Sequence, residues 1–279
     1  MTASPALATR RQAFRRLHAS GCFVIPNPWD AGSARYLQGL GFQALATTSS
    51  GAAWSHAQPD GGMALAATLA HLREMVAATD LPVNADFEGG FAPDAAGVAR
   101  NVRSAIDAGV AGLSIEDSTG DAASPLRDLA TAVERMKAAR AAIDESGSDV
   151  LLVGRAENFI AGVPDLADAI RRLQAYAEAG ADCLYAPGIQ TREQIAAVVA
   201  AVAPKPVNLL VGSATSLTLA DIASLGVRRV SVGGALARTA WGGFMRAAQL
   251  IAQEGRFDGF AGAASGAELN AFFRGAPGV

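Results

Sequence analysis

Charged side chains follow three apolar segments of the sequence, at the point where each segment ends. Asp86 and Glu88, beside the neutral amide of Asn84, follow the first segment. The second segment is followed by Glu116 and Asp117, and the third by Arg155 and Glu157. A strand that is buried on both faces has no reason to carry an acid unless the acid protrudes where the strand stops. If several such ends share one rim of a fold, they form a site.

A group of carboxylates of this density needs compensating positive charge. Acids that share one mouth repel each other unless a cation or bound protons lie among them. Oxygen ligands without His or Cys suit Mg²⁺ or Mn²⁺ far better than zinc. The alternative for any single acid is a helix cap or a pair with a surface Arg or Lys. The whole set, joined by Asp60 in a nearby loop, predicts a site for a hard cation.

Three further features of the same rim could hold an anion. The backbone N–H groups of Ser50, Gly51 and Ala52 can approach an anion closely because Gly51 has no side chain, although this segment could equally be a plain turn. Arg155 ends an apolar run, so its guanidinium is expected to hold a carboxylate in a fork, either from a substrate or from a neighbouring acid. Asn208 comes from the seventh predicted strand and is placed on the same rim.

The elements that must position these groups alternate between helix and strand. A glycine follows a helical segment and precedes an apolar run at Gly41, Gly109, Gly180 and Gly226. Glycine at such points supplies the left-handed helix cap that turns the chain back toward a sheet. Between these points, apolar residues recur at the i, i+3 or i+4 spacing of amphipathic helices. The alternation indicates a parallel sheet.

Eight strands are predicted, at residues 22–26, 43–48, 82–86, 111–116, 149–155, 181–186, 206–211 and 228–232. Each is followed by a helical segment, which in a chain of 279 residues predicts a closed (β/α)8 TIM barrel. A doubly wound open sheet is the alternative, but no strand leads into a G-x-G-x-x-G turn. We predict one barrel domain over residues 1–279, with an N-terminal helical extension over 1–20 and a C-terminal helical tail over 254–279.

Composition and charge argue against several classes of partner. The chain is 51% hydrophobic and 18% charged, with a net charge of -3. This balance gives no electrostatic reason to expect nucleic acid or an anionic membrane as a partner. The N-terminal residues lack the apolar core of a secretory signal, and no apolar run approaches a membrane span. We therefore expect a cytoplasmic enzyme that acts on a small molecule.

The order and spacing of five motifs resemble the isocitrate lyase / phosphoenolpyruvate mutase superfamily. The motifs are PNPWDAGSAR at 26–35, NAD at 84–86, IED at 115–117, RAENFIAG at 155–162 and YAEAGAD at 176–182, with Ser50-Gly51 between the first two. The resemblance covers nearly the whole chain. It implies a barrel that commonly swaps its last helix between subunits and forms dimers or tetramers. It also implies a 2-oxo acid or its enolate as ligand, with Mg²⁺, and the making or breaking of C–C or P–C bonds.

The resemblance also assigns roles to particular residues. Ser50, Gly51 and Ala52 match the cradle for the substrate oxyanion and carboxylate, and Arg155 matches the carboxylate-binding arginine. Asp60, Asp86 and Glu116 match the metal-site acids, and a further metal acid falls on Asn84. Because an amide brings no charge, Glu88 is the residue that could compensate for Asn84.

The loop after the fourth strand departs from the superfamily pattern. Isocitrate and methylisocitrate lyases carry a Lys-Lys-Cys-Gly-His stretch there, and the mutases carry a Lys and an Asn. This chain reads DSTGDAASPL at 117–126, without Cys, Lys, His or Asn. The remaining groups, with Arg155, Glu116 and Ser50 as catalytic residues, predict a lyase for a small 2-oxo or 2-hydroxy dicarboxylate, similar to oxaloacetate decarboxylase. The alternatives are a phosphonopyruvate hydrolase or mutase and a 2-oxo acid binding protein with little turnover.

Overall fold

Eight parallel strands form the first of two compact units in the structure, which is a computed structural model that describes residues 5–275. The strands are β1 Phe23–Ile25, β2 Leu45–Ala46, β3 Val83–Asp86, β4 Gly112–Glu116, β5 Leu151–Arg155, β6 Cys183–Tyr185, β7 Val207–Leu210 and β8 Arg229–Ser231. Each strand from β2 to β7 pairs with the next one along the chain, and β8 pairs with β1. All eight predicted strand positions are confirmed.

Hydrogen bonds at the ends of β1 and β2 bring the remaining two edges together. The backbone N–H of Ala46 donates to the carbonyl of Pro26 at 3.1 Å. The Asn27 side chain donates to the carbonyl of Thr47, and its own oxygen accepts from the N–H groups of Val232 and Gly233, each at 2.9 Å. The sheet is therefore a nearly closed barrel, which confirms the predicted (β/α)8 fold.

Nine helices accompany the strands of this unit among the described residues. They are α1 Pro5–Leu17, α2 Ala31–Gly39, α3 Ser49–Ser55, α4 Leu65–Ala78, α5 Ala95–Asp107, α6 Leu129–Glu145, α7 Leu166–Glu178, α8 Arg192–Val202 and α9 Leu219–Ser224. Helix α1 precedes the first strand, as the predicted N-terminal extension does. Between residues 5 and 275, no helix combines the length and the apolar character that crossing a membrane requires.

Local sequence signals explain where these helices begin and end. The side chain of Asp94 accepts from the backbone N–H of Gly97 at 2.6 Å and so caps the start of α5. After α5 and α7, Gly109 and Gly180 adopt φ values of +96° and +102°, in the left-handed region that glycine favours. Space is also limiting at Gly180, where an added Cβ would lie 2.6 Å from Cγ of Arg140.

The main core lies between the barrel wall and the helices. Val98, Val102 and Ile106 form the buried face of α5, at the spacing that the sequence predicts. They belong to one continuous apolar cluster with outward-facing strand residues such as Leu113 and Leu152. Because this layer is filled by apolar side chains, the polar residues of the strands are left to the barrel interior and the strand ends.

The second unit, residues 235–275, contains α10 Ala235–Glu254, a 3-10 turn at Asp258–Phe260 and α11 Gly266–Phe273. The turn packs closely on α10, since a Cβ added at Gly259 would lie 2.9 Å from Cα of Ala247. Large apolar side chains of this unit are exposed, among them Trp241, Phe244 and Met245. The structure divides the chain, for which one domain was predicted, into a barrel unit and a helical unit. The helical unit starts at Ala235, whereas the predicted tail starts at residue 254. Residues 1–4 and 276–279 lie outside the described part.

Candidate active site

Arg155, the last residue of β5, binds carboxylates from three other positions at the C-terminal ends of the strands. Its Nη1 lies 3.0 Å from Oδ1 of Asp86 and 3.2 Å from Oε2 of Glu116. Its Nε pairs with Glu157, and its Nη2 donates to the second oxygen of Glu157 at 3.3 Å. The ring of Tyr185 lies below the guanidinium, with its centroid 5.2 Å from Cζ. The fork expected at Arg155 is therefore occupied by neighbouring acids.

Charge within this cluster is unbalanced. Burial opposes ionisation of Arg155, but the carboxylates of Glu157, Glu116 and Asp86 raise the pKa of the guanidinium well above its usual value. Burial raises the pKa of Glu116 well above its ordinary value against the opposing pull of Arg155, and Glu157 and Asp86 raise it further. The pKa of Glu157 is also raised, chiefly by burial. One arginine does not neutralise three acids.

Asp86 is held on both of its oxygens. Oδ1 accepts from Arg155, and Oδ2 accepts from the backbone N–H and the hydroxyl of Ser49 at 3.0 and 2.7 Å. Sequence reasoning did not single out Ser49. Its signal is its place two residues before Gly51, at the first position of α3, where an N–H group is free to bind a carboxylate.

Asp60 and Glu88 lie near the same cluster, at the rim of the barrel. Burial and the charge of Asp86 raise the pKa of Asp60. Burial, together with the charges of Asp86 and Asp60, raises the pKa of Glu88 to about 7. Glu88 also has a φ of +45°, which a side chain with a Cβ rarely adopts. The loop after β3 thus holds an acid at the mouth in a conformation that only its surroundings can maintain.

The predicted cradle is only partly available to a ligand. Thr48 caps α3, since its hydroxyl accepts from the N–H of Gly51 at 3.3 Å and its carbonyl accepts from the N–H of Ala52 at 3.0 Å. Gly51 and Ala52 are both buried. Ser50 lies at the inner cavity described below, and its hydroxyl is 3.0 Å from the hydroxyl of Thr48. Of the three residues, the structure brings Ser50 to the site.

Asn84 and Asn208 belong to a polar layer inside the barrel, below the acids. Oδ1 of Asn84 accepts from Nη1 of Arg229 at 3.3 Å, and Oδ1 of Asn208 accepts from Nε of the same arginine at 2.7 Å. Asn208 also donates to the hydroxyl of Ser231 at 2.9 Å. Burial and the charge of Arg229 lower the pKa of the adjacent His18 to about 3, so this histidine stays neutral. Asn84 lines the inner cavity together with Asp60 and Asp86, whereas Glu88 and Glu116 line the outer one.

Two cavities meet at Arg155. The inner cavity, of about 170 Å³, is lined by residues that include Asn27, Ser50, Asp86, Asn208 and Arg229. The outer cavity, of about 410 Å³, is lined by residues that include Asp60, Glu88, Glu116, Arg127, Arg135 and Glu157. Sequence reasoning missed Arg127, Arg135 and Arg229. Arg229 could have been found from its alternation with Ser231 in β8, which puts both on the interior face.

The loop between Ser118 and Leu126 is closed by its own hydrogen bonds. Its two ends form an antiparallel bridge, and the N–H of Thr119 donates to the carbonyl of Pro125 at 2.9 Å. The hydroxyl of Thr119 donates to the carbonyl of Ser124 at 2.5 Å. The outer cavity is bordered on this side by Ser118, Thr119 and Gly120, none of which is a strong acid or base.

Asp117 fixes the base of this loop. Its Oδ1 accepts from the N–H of Glu157 at 2.8 Å, and its Oδ2 accepts from Arg172 at 3.1 Å and from the hydroxyl of Tyr176 at 2.5 Å. Only 2% of Asp117 is exposed. This carboxylate therefore joins β4, the end of β5 and α7, and it supports the site from behind without lining either cavity.

The acids at the mouth fit a hard cation by their chemistry. Asp60, Asp86, Glu88 and Glu116 offer only oxygen, and the pKa values of Asp60, Glu88 and Glu116 are raised by burial and by neighbouring carboxylates. Across residues 5–275, no three His, Cys, Asp or Glu side chains converge as direct ligands of one ion. Mg²⁺ commonly binds through one or two carboxylates and keeps several waters, so this donor set suits it better than a metal that needs a full protein cage.

In (β/α)8 barrel enzymes the active site lies at the C-terminal ends of the strands. The acids around Arg155 lie at this end, so the protein has the arrangement of such an enzyme. The chain belongs to the phosphoenolpyruvate phosphomutase family, whose model matches residues 14–252. It is an enzyme of the wider phosphoenolpyruvate mutase/isocitrate lyase superfamily, as its motifs imply, and its relatives include carbon–carbon lyases.

Three relatives illustrate the similarity. A Burkholderia cenocepacia structure, named for a suspected lyase or mutase activity, is 48% identical with a TM-score of 0.93, over 96% of this chain and 98% of that one. An oxaloacetate decarboxylase from Paraburkholderia xenovorans is 34% identical over 233 residues, which are 80% of this chain and 74% of the relative. The structure of an oxaloacetate acetylhydrolase with its product oxalate is 26% identical with a TM-score of 0.83, over 98% and 99% of the two chains.

Proposed function

We propose that the protein is a Mg²⁺-dependent lyase for a small 2-oxo dicarboxylate and that it decarboxylates oxaloacetate. The observation that carries the proposal is the arrangement of Asp86, Glu116 and Glu157 around Arg155 at the junction of two cavities. The set offers a carboxylate-binding guanidinium next to more acids than this one charge can neutralise. The similarity to oxaloacetate decarboxylases over most of the chain supports the same substrate class.

Binding of the substrate begins at Arg155. The longest contact of Arg155 in the cluster is the 3.3 Å hydrogen bond from Nη2 to Glu157. A substrate carboxylate that binds Nη2 therefore replaces the weakest hydrogen bond of this guanidinium. Tyr185 packs below the guanidinium and keeps its plane in place. Ser50, at the N-terminal turn of α3, supplies a hydroxyl and a backbone N–H beside the inner cavity, where negative charge on the 2-oxo oxygen is stabilised.

The bond that breaks joins C3 of oxaloacetate to its C4 carboxylate. Its electron pair moves toward the 2-oxo carbon as CO₂ leaves, which gives the enolate of pyruvate, and a proton from solvent then adds at C3. No protein acid is needed for the leaving group, which agrees with a 118–126 loop that lacks Lys, Cys and His. A divalent cation bound by Asp86, with Glu116, Asp60 or Glu88 nearby, would supply Lewis-acid polarisation of the 2-oxo group.

Incubation of the protein with oxaloacetate tests the activity directly. With Mg²⁺, pyruvate should form faster than in the spontaneous reaction, and EDTA should abolish the difference. Arg155→Lys keeps a charge but loses the fork, so kcat/KM should fall by about a hundredfold. Saturable binding of pyruvate or oxalate without product formation would instead support the binding protein with little turnover.

A calorimetric titration with Mn²⁺ tests the metal site independently of activity. Asp86→Asn should weaken Mn²⁺ by about tenfold or more, because a direct or water-bridged carboxylate ligand is lost. Asn84→Asp is the matched control: the new carboxylate would lie beside Arg229 and pair with it, so Mn²⁺ affinity should stay unchanged. Tighter Mn²⁺ binding by Asn84→Asp would place the metal deeper in the barrel and contradict the assignment.

A further inference from the structure

Arg127 and Arg135 line the outer cavity together with the acids of the mouth. Arg127 directly follows the 118–126 loop, and its backbone is held on both sides. Its N–H donates to the carbonyl of Asp117 at 2.9 Å, and its carbonyl accepts from Arg172 at 2.9 Å. Arg135 lies one and a half turns into α6 and is only 1% exposed. Both side chains are therefore carried by rigid parts of the barrel.

Neither guanidinium forms an ion pair within the described part of the chain, although the more distant charge of Asp94 raises the pKa of Arg135 slightly against the effect of burial. Over the described range 5–275, no carboxylate oxygen lies within 4 Å of either one, whereas Arg155 and Arg172 each pair with two or more acids. Nη2 of Arg135 donates to the carbonyls of Gly89 and Ala92. Nε and Nη1 of Arg135 and Nε of Arg127 are buried without an acceptor. Buried N–H groups without acceptors are costly, so these nitrogens favour the binding of a group that can accept from them.

The two charges also lie close to each other. A Cβ built on Gly89 would be 3.7 Å from Nη2 of Arg127 and 3.7 Å from Nη2 of Arg135, so both guanidiniums border the same point. Burial and the charge of Arg127 lower the pKa of Arg135 to about 10, which still leaves it charged at neutral pH. Because Gly89 has no side chain, the space beside both arginines stays open to a ligand.

We propose that Arg127, supported by Arg135, binds the second anionic group of the substrate and so selects 2-oxo dicarboxylates over 2-oxo monocarboxylates. The inference rests on the proposed function, which places the 2-oxo acid end of the substrate at Arg155. Arg155 lines the same 410 Å³ cavity as the two arginines. A planar guanidinium is well suited to a carboxylate, which it can bind through two parallel hydrogen bonds.

This arrangement discriminates by leaving charge unpaired when the wrong ligand binds. A 2-oxo acid with one carboxylate would occupy Arg155 and leave Arg127 and Arg135 without an anion. A dicarboxylate of suitable length would satisfy both ends. Sites that are built to pair a polar group reject analogues that lack it far more strongly than apolar pockets reject a missing methylene. Arg127 is the contact residue, and Arg135 acts through it by adding positive potential and by holding the loop at Gly89 and Ala92.

Calorimetry with two probes in the presence of Mg²⁺ tests the proposal. Pyruvate is the monocarboxylate, and malate is a dicarboxylate with the carbon skeleton of oxaloacetate, which has no carbonyl at C2 to accept the electron pair and therefore cannot lose CO₂ by the proposed step. The variants are Arg127→Gln and Arg127→Lys, with Arg103→Gln, an exposed arginine on α5 that pairs with Glu145, as the matched control. Thermal melting of each variant checks the fold, and Arg127 is only partly buried, so its replacement should leave the fold intact.

We expect Arg127→Gln to weaken the binding of malate by about tenfold or more and the binding of pyruvate by less than about twofold. Arg127→Lys, which keeps a point charge, should lose less, and Arg103→Gln should match the wild type. Equal weakening of both probes by Arg127→Gln, or no change in either, would overturn the selectivity proposal alone. Failure of the wild type to bind either probe would overturn the proposed function, and this inference with it.

Discussion

Glu88 occupies an unusual place for an acid, because its backbone is left-handed and its carboxyl group lies near two other carboxylates. Its pKa in the folded protein, about 7, is higher than the ordinary value of 4.5. The raised pKa of Glu88 makes the folded protein more stable at low pH than at high pH. This contribution to the free energy of unfolding is complete below pH ~4.5 and is lost as the pH rises through about 7. At pH 8 the ionised carboxylate opposes folding.

Glu88→Gln should accordingly stabilise the metal-free protein at pH 8 and have little effect at pH 4. The expected gain is about 1 to 3 kcal/mol in the free energy of unfolding, as follows from a shift of this size. Urea denaturation at the two pH values in EDTA measures it. Glu178→Gln, at an exposed position on α7, is the control and should show no such dependence. A gain at pH 4 equal to that at pH 8 would contradict the role of ionisation.

At the scale of elements, Asp117 joins parts of the barrel that are distant in the sequence. Its carboxylate accepts from the end of β5 and from Arg172 and Tyr176 on α7. Asp117→Asn should lower the free energy of unfolding by about 3 to 5 kcal/mol. The substitution removes one of the two carboxylates that neutralise the buried guanidinium of Arg172. Tyr176→Phe removes one hydrogen bond and should cost about 1 kcal/mol. Denaturant titrations of both variants measure the difference, and equal costs would contradict this account.

The repetition of elements explains why so much of the fold can be predicted from the sequence. Periodic apolar residues and the cap glycines are local signals, so all eight strands lie within their predicted ranges. Asp86, Glu116 and Arg155 come together for the same reason, since they end neighbouring strands of one parallel barrel. Arg127 and Arg135 could not be found this way. Their positions depend on a loop and on helix faces whose orientation is set by tertiary packing.

At the scale of the whole molecule, the unit of residues 235–275 exposes several large apolar side chains. Phe244 is 62% exposed and Met245 51%, and Trp241 contacts Phe244 edge to face. Surface of this kind marks sites of protein association. The superfamily resemblance, with its swapped last helix, suggests the same, so we expect a homodimer or tetramer.

Sedimentation velocity at micromolar concentration tests the oligomeric state. Phe244→Asp, in the middle of α10, should shift the protein toward smaller species, because a charge would have to be buried in the apolar contact. Gln253→Asp introduces the same charge at an exposed polar position of the same helix and should leave the distribution unchanged. A wild type that sediments as a monomer would contradict the expectation.

The self-contained loop at residues 118–126 has a practical consequence for protein engineering. Because its two ends are bridged to each other and its hydrogen bonds are internal, its tip can be exchanged as a cassette without unfolding the barrel. The loop borders the outer cavity through Ser118, Thr119 and Gly120. A grafted segment that carries a lysine or a cysteine would reach the same acids and arginines, and the barrel would then serve as a host for reactions that its native loop does not support.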